Sequence, residues 1–133
     1  MSGEKRASSP VVARIPRNRD DAGQLGSGQS LNNGPAITVI PDHVVKVGIG
    51  SAFYGNRKAH ACALLESGRL ECWGANFFGQ VGDGTQVNRL SPIPVLGSPD
   101  VNVVDFALSD SSISGARGGH TCAIFVNGTL ACW

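Results

Sequence analysis

The sequence predicts an all-β chain assembled from two copies of one short-stranded repeat, and three observations carry that expectation. First, sliding the chain by sixty positions lays His60-Ala-Cys-Ala-Leu-Leu-Glu-Ser-Gly-Arg-Leu-Glu-Cys-Trp73 on His120-Thr-Cys-Ala-Ile-Phe-Val-Asn-Gly-Thr-Leu-Ala-Cys-Trp133, with seven of fourteen positions identical. Average residue frequencies would give about one match by chance. Second, each copy holds two short apolar runs on either side of a three-residue turn that ends in Gly68 or Gly128. Third, glycine appears 18 times, about twice its average share, as many tight turns require.

Composition bounds what the chain does. Of its 133 residues, 41% are hydrophobic and 16% charged, which suits one modest globular domain. A net charge of +1 with no basic stripe excludes a nucleic-acid reading, so no nucleic-acid partner is expected. No apolar run is long enough for a membrane span or a signal-peptide core. Residues 1–36 read as a disordered N-terminal arm: five basic and three acidic side chains fall within 1–35, beside Gly-Ser-Gly, Asn-Asn-Gly-Pro and few large apolar groups.

Beyond the arm, the elements follow in order. Val44–Val47 and Val101–Val104 are β-branched runs ahead of each hairpin. The hairpins are Ala61–Leu65 with Arg69–Trp73, and Thr121–Phe125 with Thr129–Trp133. A three-residue loop closes on a residue at positive φ, the slot of Gly68 and Gly128. That register sets position 64 opposite 70, 62 opposite 72 and 122 opposite 132. Ile93–Leu96 offers a fourth strand, and Ser51–Ala59 and Ser109–Gly119 read as loops inserted before each repeated His. Four strands per unit of about sixty residues predict a partial β-propeller: one full four-stranded blade, residues 37–90, plus an incomplete second, residues 91–133.

At this point the motifs resemble a known family. His60-Ala-Cys-Ala-Leu, Ser67-Gly68, Cys72-Trp73-Gly74-Ala-Asn76, Gly79-Gln80-Val81-Gly82-Asp83-Gly84-Thr85 and a following Pro-Ile-Pro-Val are similar to the regulator of chromosome condensation repeat. The resemblance implies a seven-bladed propeller of four-stranded blades used for protein binding. It implies a structural role for His60, Gly68, Trp73, Gly74, Asn76, Gly79, Gly82, Asp83 and Gly84, and for His120, Gly128 and Trp133 of the second copy. The paired-cysteine variant is similar to repeats of secreted bacterial members, which favours an extracellular setting although no signal peptide is visible. Fewer than two repeats, and a stop at Trp133, point to a fragment whose remaining blades come from further chain or from self-association. No counterpart exists here of the acidic cluster or hairpin by which the namesake acts on a Ran-type GTPase.

Candidate chemistry is sparse. Cys62 and Cys72, and Cys122 and Cys132, face each other at non-hydrogen-bonded hairpin positions, where Cα atoms lie roughly 4.5 Å apart. That separation permits a disulfide. Small buried apolar cysteines between blades are the alternative. His60 with Cys62 and Cys72 supplies one ligand too few for a structural zinc tetrahedron, so no metal is expected. The Gly79–Thr85 run lacks the Gly-Lys-Ser/Thr of a phosphate loop, so no cofactor is expected. Asn127-Gly128-Thr129 is a glycosylation sequon at a hairpin tip, which the turn alone explains. No serine–histidine–acid set exists outside the repeat, and the expected role is a protein-binding scaffold rather than an enzyme. Nucleotide exchange on a small GTPase and a secreted inhibitor or adhesion module are the alternatives.

Overall fold

Short β-branched and apolar runs separated by glycine turns have one economical outcome, a meander of antiparallel strands. The computed structural model describes residues 23–28, 38–52, 58–95, 102–111 and 119–133, and it is all-β. The strands are β1 (Val44–Ala52), β2 (Lys58–Leu65), β3 (Leu70–Gly74), β4 (Arg89–Pro94), β5 (Val103–Leu108), β6 (Asp110–Ser111), β7 (Thr121–Phe125) and β8 (Leu130–Cys132). The first sheet runs in the order β4-β3-β2-β1-β6 and the second in the order β5-β7-β8. The antiparallel part of the first sheet is the predicted four-stranded blade, and the second sheet is its three-stranded copy.

The hairpin register is the one that the turn chemistry dictates. Cys62 pairs with Cys72 and Leu64 with Leu70, while Cys122 pairs with Cys132 and Ile124 with Leu130. Gly68 and Gly128 hold φ of 90° and 85°, where a side chain is strained. Both cysteine pairs are disulfides, each with its Cα atoms 4.1 Å apart.

Several strand limits differ from those the sequence predicts, among them the fourth strand, which runs Arg89–Pro94 rather than Ile93–Leu96. The sequence predicts a loop over Ser51–Ala59; at its ends β1 runs on to Ala52 and β2 begins at Lys58, and residues 53–57 lie outside the described residues. Pairing of β1 with β2 continues to the Ala52–Lys58 partners, so backbone hydrogen bonding outweighs a composition that looks turn-like. Within Ser109–Gly119, Asp110 and Ser111 pair in parallel with Ser51 and Ala52 and tie the two repeats together. The strand before the second hairpin also lies later than Val101–Val104, at Val103–Leu108.

Of the segment read as an arm, only residues 23–28 and the bordering 38–40 are described. Residues 23–28 form a turn seated against the first sheet, and the rest of 1–36 lies outside the described residues. Gly26 N donates to Gly23 O at 2.9 Å, and Gly28 N donates to Leu90 O at 2.8 Å.

The core lies between the sheets. One face of the first sheet presents Cys62, Leu64, Leu70 and Cys72, which pack with Val103, Phe106 and Ala123 of the second. Gly48 and Gly50 on β1 allow this approach. A Cβ at Gly48 would sit 2.9 Å from the Phe106 ring, and one at Gly50 would sit 2.7 Å from Ser109 O. Lys46 spans the same seam, bonding Asp105 and Phe106 O and lying 4.9 Å from the Phe106 ring centroid. The opposite face of the first sheet gathers Ala61, Ala63 and Trp73 under Val39 and Ile40.

Each disulfide closes a ten-residue separation across a hairpin. Cleaving one is expected to lower stability by about 2–3 kcal/mol through the freed unfolded chain. Urea midpoints of oxidised and reduced protein measure this, and coincident midpoints would contradict it.

Candidate functional site

The residues shared by the repeats converge on the seam between sheets and on the connection from β3 to β4. Trp133 follows β8, and its indole N–H donates to Gln80 O at 3.1 Å. The indole rests on Gly82, where a Cβ would fall 2.3 Å from Trp133 Nε1. Gly79, Gly82 and Gly84 hold φ of 77°, 80° and 78°, which turns the loop backbone toward the indole.

The same arrangement occurs one repeat earlier. Trp73 Nε1 donates to Gln24 O at 2.9 Å, and Gly23, Gly26 and Gly28 hold φ of 78°, 72° and 81°. A Cβ at Gly26 would lie 2.9 Å from Trp73 Nε1. Gly23-Gln24-Leu25-Gly26-Ser27-Gly28 is thus a second edition of Gly79-Gln80-Val81-Gly82-Asp83-Gly84. The sequence reading missed it, and a shift of 56 positions would have revealed it. That shift also lays Asn32 on Asn88, Ile37 on Ile93 and Val39 on Val95. Each tryptophan therefore docks on the glycine loop of the preceding repeat.

The loop is held by Asn76, which is fully buried. Its Nδ2 donates to Asp83 Oδ1, Thr85 O and Val87 O at 3.1, 3.1 and 2.9 Å, and its Oδ1 accepts from Val81 N at 3.0 Å. Burial alone would raise the pKa of Asp83. Hydrogen bonds from the Thr85 hydroxyl and amide, Arg89 and Asn76 outweigh it and hold the carboxyl at about 2. Asp83 is therefore an ionised strut for the loop, with Arg89 as its ion-pair partner.

His60 sits inside the seam, fully buried. Its Nε2 lies 3.0 Å from Thr121 Oγ1, whose only hydrogen goes to Gln80 O at 2.7 Å. Thr121 must then accept from His60 Nε2–H, which leaves Nδ1 as the bare nitrogen of a neutral ring. Nδ1 has no partner among the described residues, as a neutral acceptor tolerates better than a charged donor would. Burial, with added repulsion from His120, lowers the His60 pKa to about 4. His120 itself is exposed.

Of the residues singled out in sequence, the structure brings together His60, Asn76, Gly79, Gly82, Asp83, Gly84 and Trp133 at the seam and its loop. Trp73 and Gly74 lie at the corresponding seam one repeat earlier, where a Cβ at Gly74 would fall 3.4 Å from Gln24 Cα. Gly68 and Gly128 stand apart at the hairpin tips. Among the described residues no group of three or more His, Cys, Asp or Glu gathers to hold a metal. An open cleft of about 580 Å³ lies beside the loop, lined by Gly79, Gly82, Gly84, Thr85, Gln86, Val95 and Trp133.

Asn76→Ala strands the loop's carbonyls and the Val81 amide, and it is expected to cost about 2–4 kcal/mol in denaturant titrations. A loss under about 0.5 kcal/mol, the scatter of surface substitutions, would contradict the strut role. For His60, the unfolded ring takes a proton near pH 6.5 and the folded ring only near 4. Between those values the unfolded state binds more protons, so stability falls as pH falls, by about 3 kcal/mol in all. Above pH 6.5 this group adds no slope. His60→Gln is expected to flatten the stability profile from pH 6.5 to 4, and an unchanged profile would contradict the assignment.

Comparison with known proteins agrees with this geometry. Residues 67–113 match the family model of the Regulator of chromosome condensation (RCC1) repeat. The human and mouse E3 ubiquitin-protein ligase HERC2 are each 27% identical over 120 residues, covering 85% of this chain and 2% of theirs. The Ultraviolet-B receptor UVR8 of Arabidopsis thaliana is 35% identical over 74 residues, covering 56% of this chain and 15% of its own. The crystal structure of human WBSCR16 superposes with a TM-score of 0.61 at 22% identity, over 86% of this chain and 27% of that one. The chain thus spans a small part of each relative. The HERC2 and WBSCR16 matches cover more of it than residues 37–133 could supply, so they take in part of the segment before residue 37. With the glycine loop, the buried asparagine and the docked tryptophan in their places, residues 67–113 of this chain carry a regulator of chromosome condensation repeat.

Proposed function

We propose that the chain is a non-enzymatic β-propeller scaffold that binds a protein partner through one rim. The family typically builds β-propeller modules for protein interaction or nucleotide exchange. The observation that carries the binding reading is the asymmetry of the two ends of the sheets. At one end the strands turn through the tight loops 66–69 and 126–129. At the other end lies the long connection 75–88. Long loops on a rigid sheet are where recognition surfaces collect.

On that rim Phe77 and Phe78 are exposed beside the rigid glycine loop. Exposed aromatic side chains on a stiff backbone suit an interface core, since little ordering entropy is lost when they are covered. The two disulfides support an oxidising compartment as the place of work.

A photo-crosslinking residue at position 78 of the full-length protein, expressed in its native cell, is expected to yield discrete protein adducts. The same residue at position 127, on the opposite rim, is expected to yield none. Equal labelling at both sites, or none at either, would contradict rim binding. Accelerated release of fluorescent GDP from a small GTPase would replace scaffold binding with nucleotide exchange.

A further inference from the structure

The tip of the second hairpin carries two side chains that neither the fold nor the binding rim uses. Asn127-Gly128-Thr129 has the form Asn-x-Thr without a central proline, the acceptor pattern for N-linked glycans. All three residues are exposed. Thr129 N and Thr129 Oγ1 both donate to Asn127 Oδ1, at 3.0 and 2.7 Å. The amide oxygen is thereby turned toward the threonine, and Asn127 Nδ2 has no acceptor among the described residues.

The first hairpin shows how much of this the turn itself requires. The two tips are built alike: Gly68 N and Gly128 N donate to Leu65 O and Phe125 O, each at 2.9 Å. Leu65 N and Phe125 N in turn donate to Arg69 O and Thr129 O, again at 2.9 Å. Ser67 stands where Asn127 does, and its hydroxyl accepts from Arg69 N at 3.4 Å. Serine therefore meets the turn's need at this place, and arginine, paired with Glu71, meets it at the place of Thr129. The backbone demands only the glycine, at φ of 90° and 85°. Asparagine and threonine together are what the turn does not call for, and together they are what a glycan transferase reads.

Ser67 also answers for the exposure of Asn127. The next sheet lies against the first tip: Val103 N donates to Gly68 O at 2.8 Å, and a Cβ at Gly68 would meet Asn102 at 2.8 Å. Gly68 is buried there, yet Ser67 beside it stays exposed. The place of Asn127 thus faces solvent even where a following repeat covers the glycine.

We propose that Asn127 is an N-glycosylation site, loaded in the oxidising compartment that the two disulfides support; it rests on that reading and not on rim binding. In the transfer, Asn127 Nδ2 bonds to the anomeric carbon of an oligosaccharide carried on a polyprenyl diphosphate. The anomeric carbon–oxygen bond breaks, the diphosphate leaves with the electron pair, and Nδ2 gives up one proton to the transferase. The Thr129 hydroxyl is the second group that the enzyme holds. Its contact with Asn127 is exposed, so exchanging one partner for another costs little. A glycan here is bulky and solubilising. It covers the rim of the hairpin tips and leaves the connection 75–88, with Phe77 and Phe78, open to a protein partner.

The test uses full-length protein from its native cell, digested without reduction and treated with peptide-N-glycosidase in heavy-oxygen water. The peptide spanning Asn127 is expected to shed a glycan and to gain one heavy oxygen as the amide becomes a carboxyl. A parallel digest without the glycosidase is expected to show the glycopeptide and no label, a control needed because an Asn-Gly pair also loses ammonia unaided. Asn127→Ser, which restores the serine of the first tip, and Thr129→Val are each expected to lose the glycan, while Thr129→Ser is expected to retain it. All three are expected to keep the Cys122–Cys132 bridge, the sign that the hairpin has formed. A bare Asn127 peptide at full yield, or equal label with and without glycosidase, would overturn the proposal. The cysteine peptides of the same digest separate the two readings. Bridged cysteines with a bare Asn127 sink the glycan alone, and free thiols with a bare Asn127 sink the oxidising compartment as well.

Discussion

The structure depends on one contact made twice, an indole N–H donating to the carbonyl of a glutamine in the glycine loop of the repeat before it. Trp73 makes it to Gln24 and Trp133 makes it to Gln80. A buried indole needs an acceptor, and a main-chain carbonyl turned out of a tight loop supplies one without burying a second side chain. The glycines are there for that reason. At Gly82 a side chain would occupy the space of the Trp133 ring, and the positive φ would strain it further. The rest of the loop exists to hold this carbonyl still, through Asn76 at its centre and the ionised Asp83 at its edge.

The consequence is that stability in this fold lies between repeats as much as within them. Leu64, Leu70 and the Cys62–Cys72 bridge share their core with Val103, Phe106 and Ala123 of the next sheet. Thr121 of the second repeat accepts a hydrogen bond from His60 Nε2–H and donates one to Gln80 O, so three residues of the seam form one hydrogen-bonded chain. A repeat array of this kind has stability close to a sum of units and nearest-neighbour interfaces, and its terminal faces are under-buried by construction.

Much of this was legible in the sequence. The sixty-residue repetition, the hairpin glycines and the pairing of Cys62 with Cys72 and of Cys122 with Cys132 followed from turn chemistry and period-two alternation. The strand limits were less legible. Ser51, Ala52 and Lys58 have no pattern that marks a strand, and only their pairing across the sheet makes them one. The loop at Gly23 was hidden for a different reason. Its six residues sit in a charged, turn-rich stretch, and composition averages away a motif whose meaning lies in glycine spacing. The seam at His60 was hidden because it depends on Thr121 and on a main-chain carbonyl, neither of which has a sequence signature.

The most direct measurement of the account is hydrogen exchange at the two indole N–H groups, followed by NMR in oxidised protein. The account predicts that both resonances are protected, and that Trp73 loses its protection when Gly26 is replaced by Val, while the Cys62–Cys72 hairpin amides keep theirs. Exchange of the Trp73 indole at the rate of a free tryptophan in the unsubstituted chain would show that residues 23–28 do not seat on the sheet, and it would contradict the coupling of each repeat to the one before it.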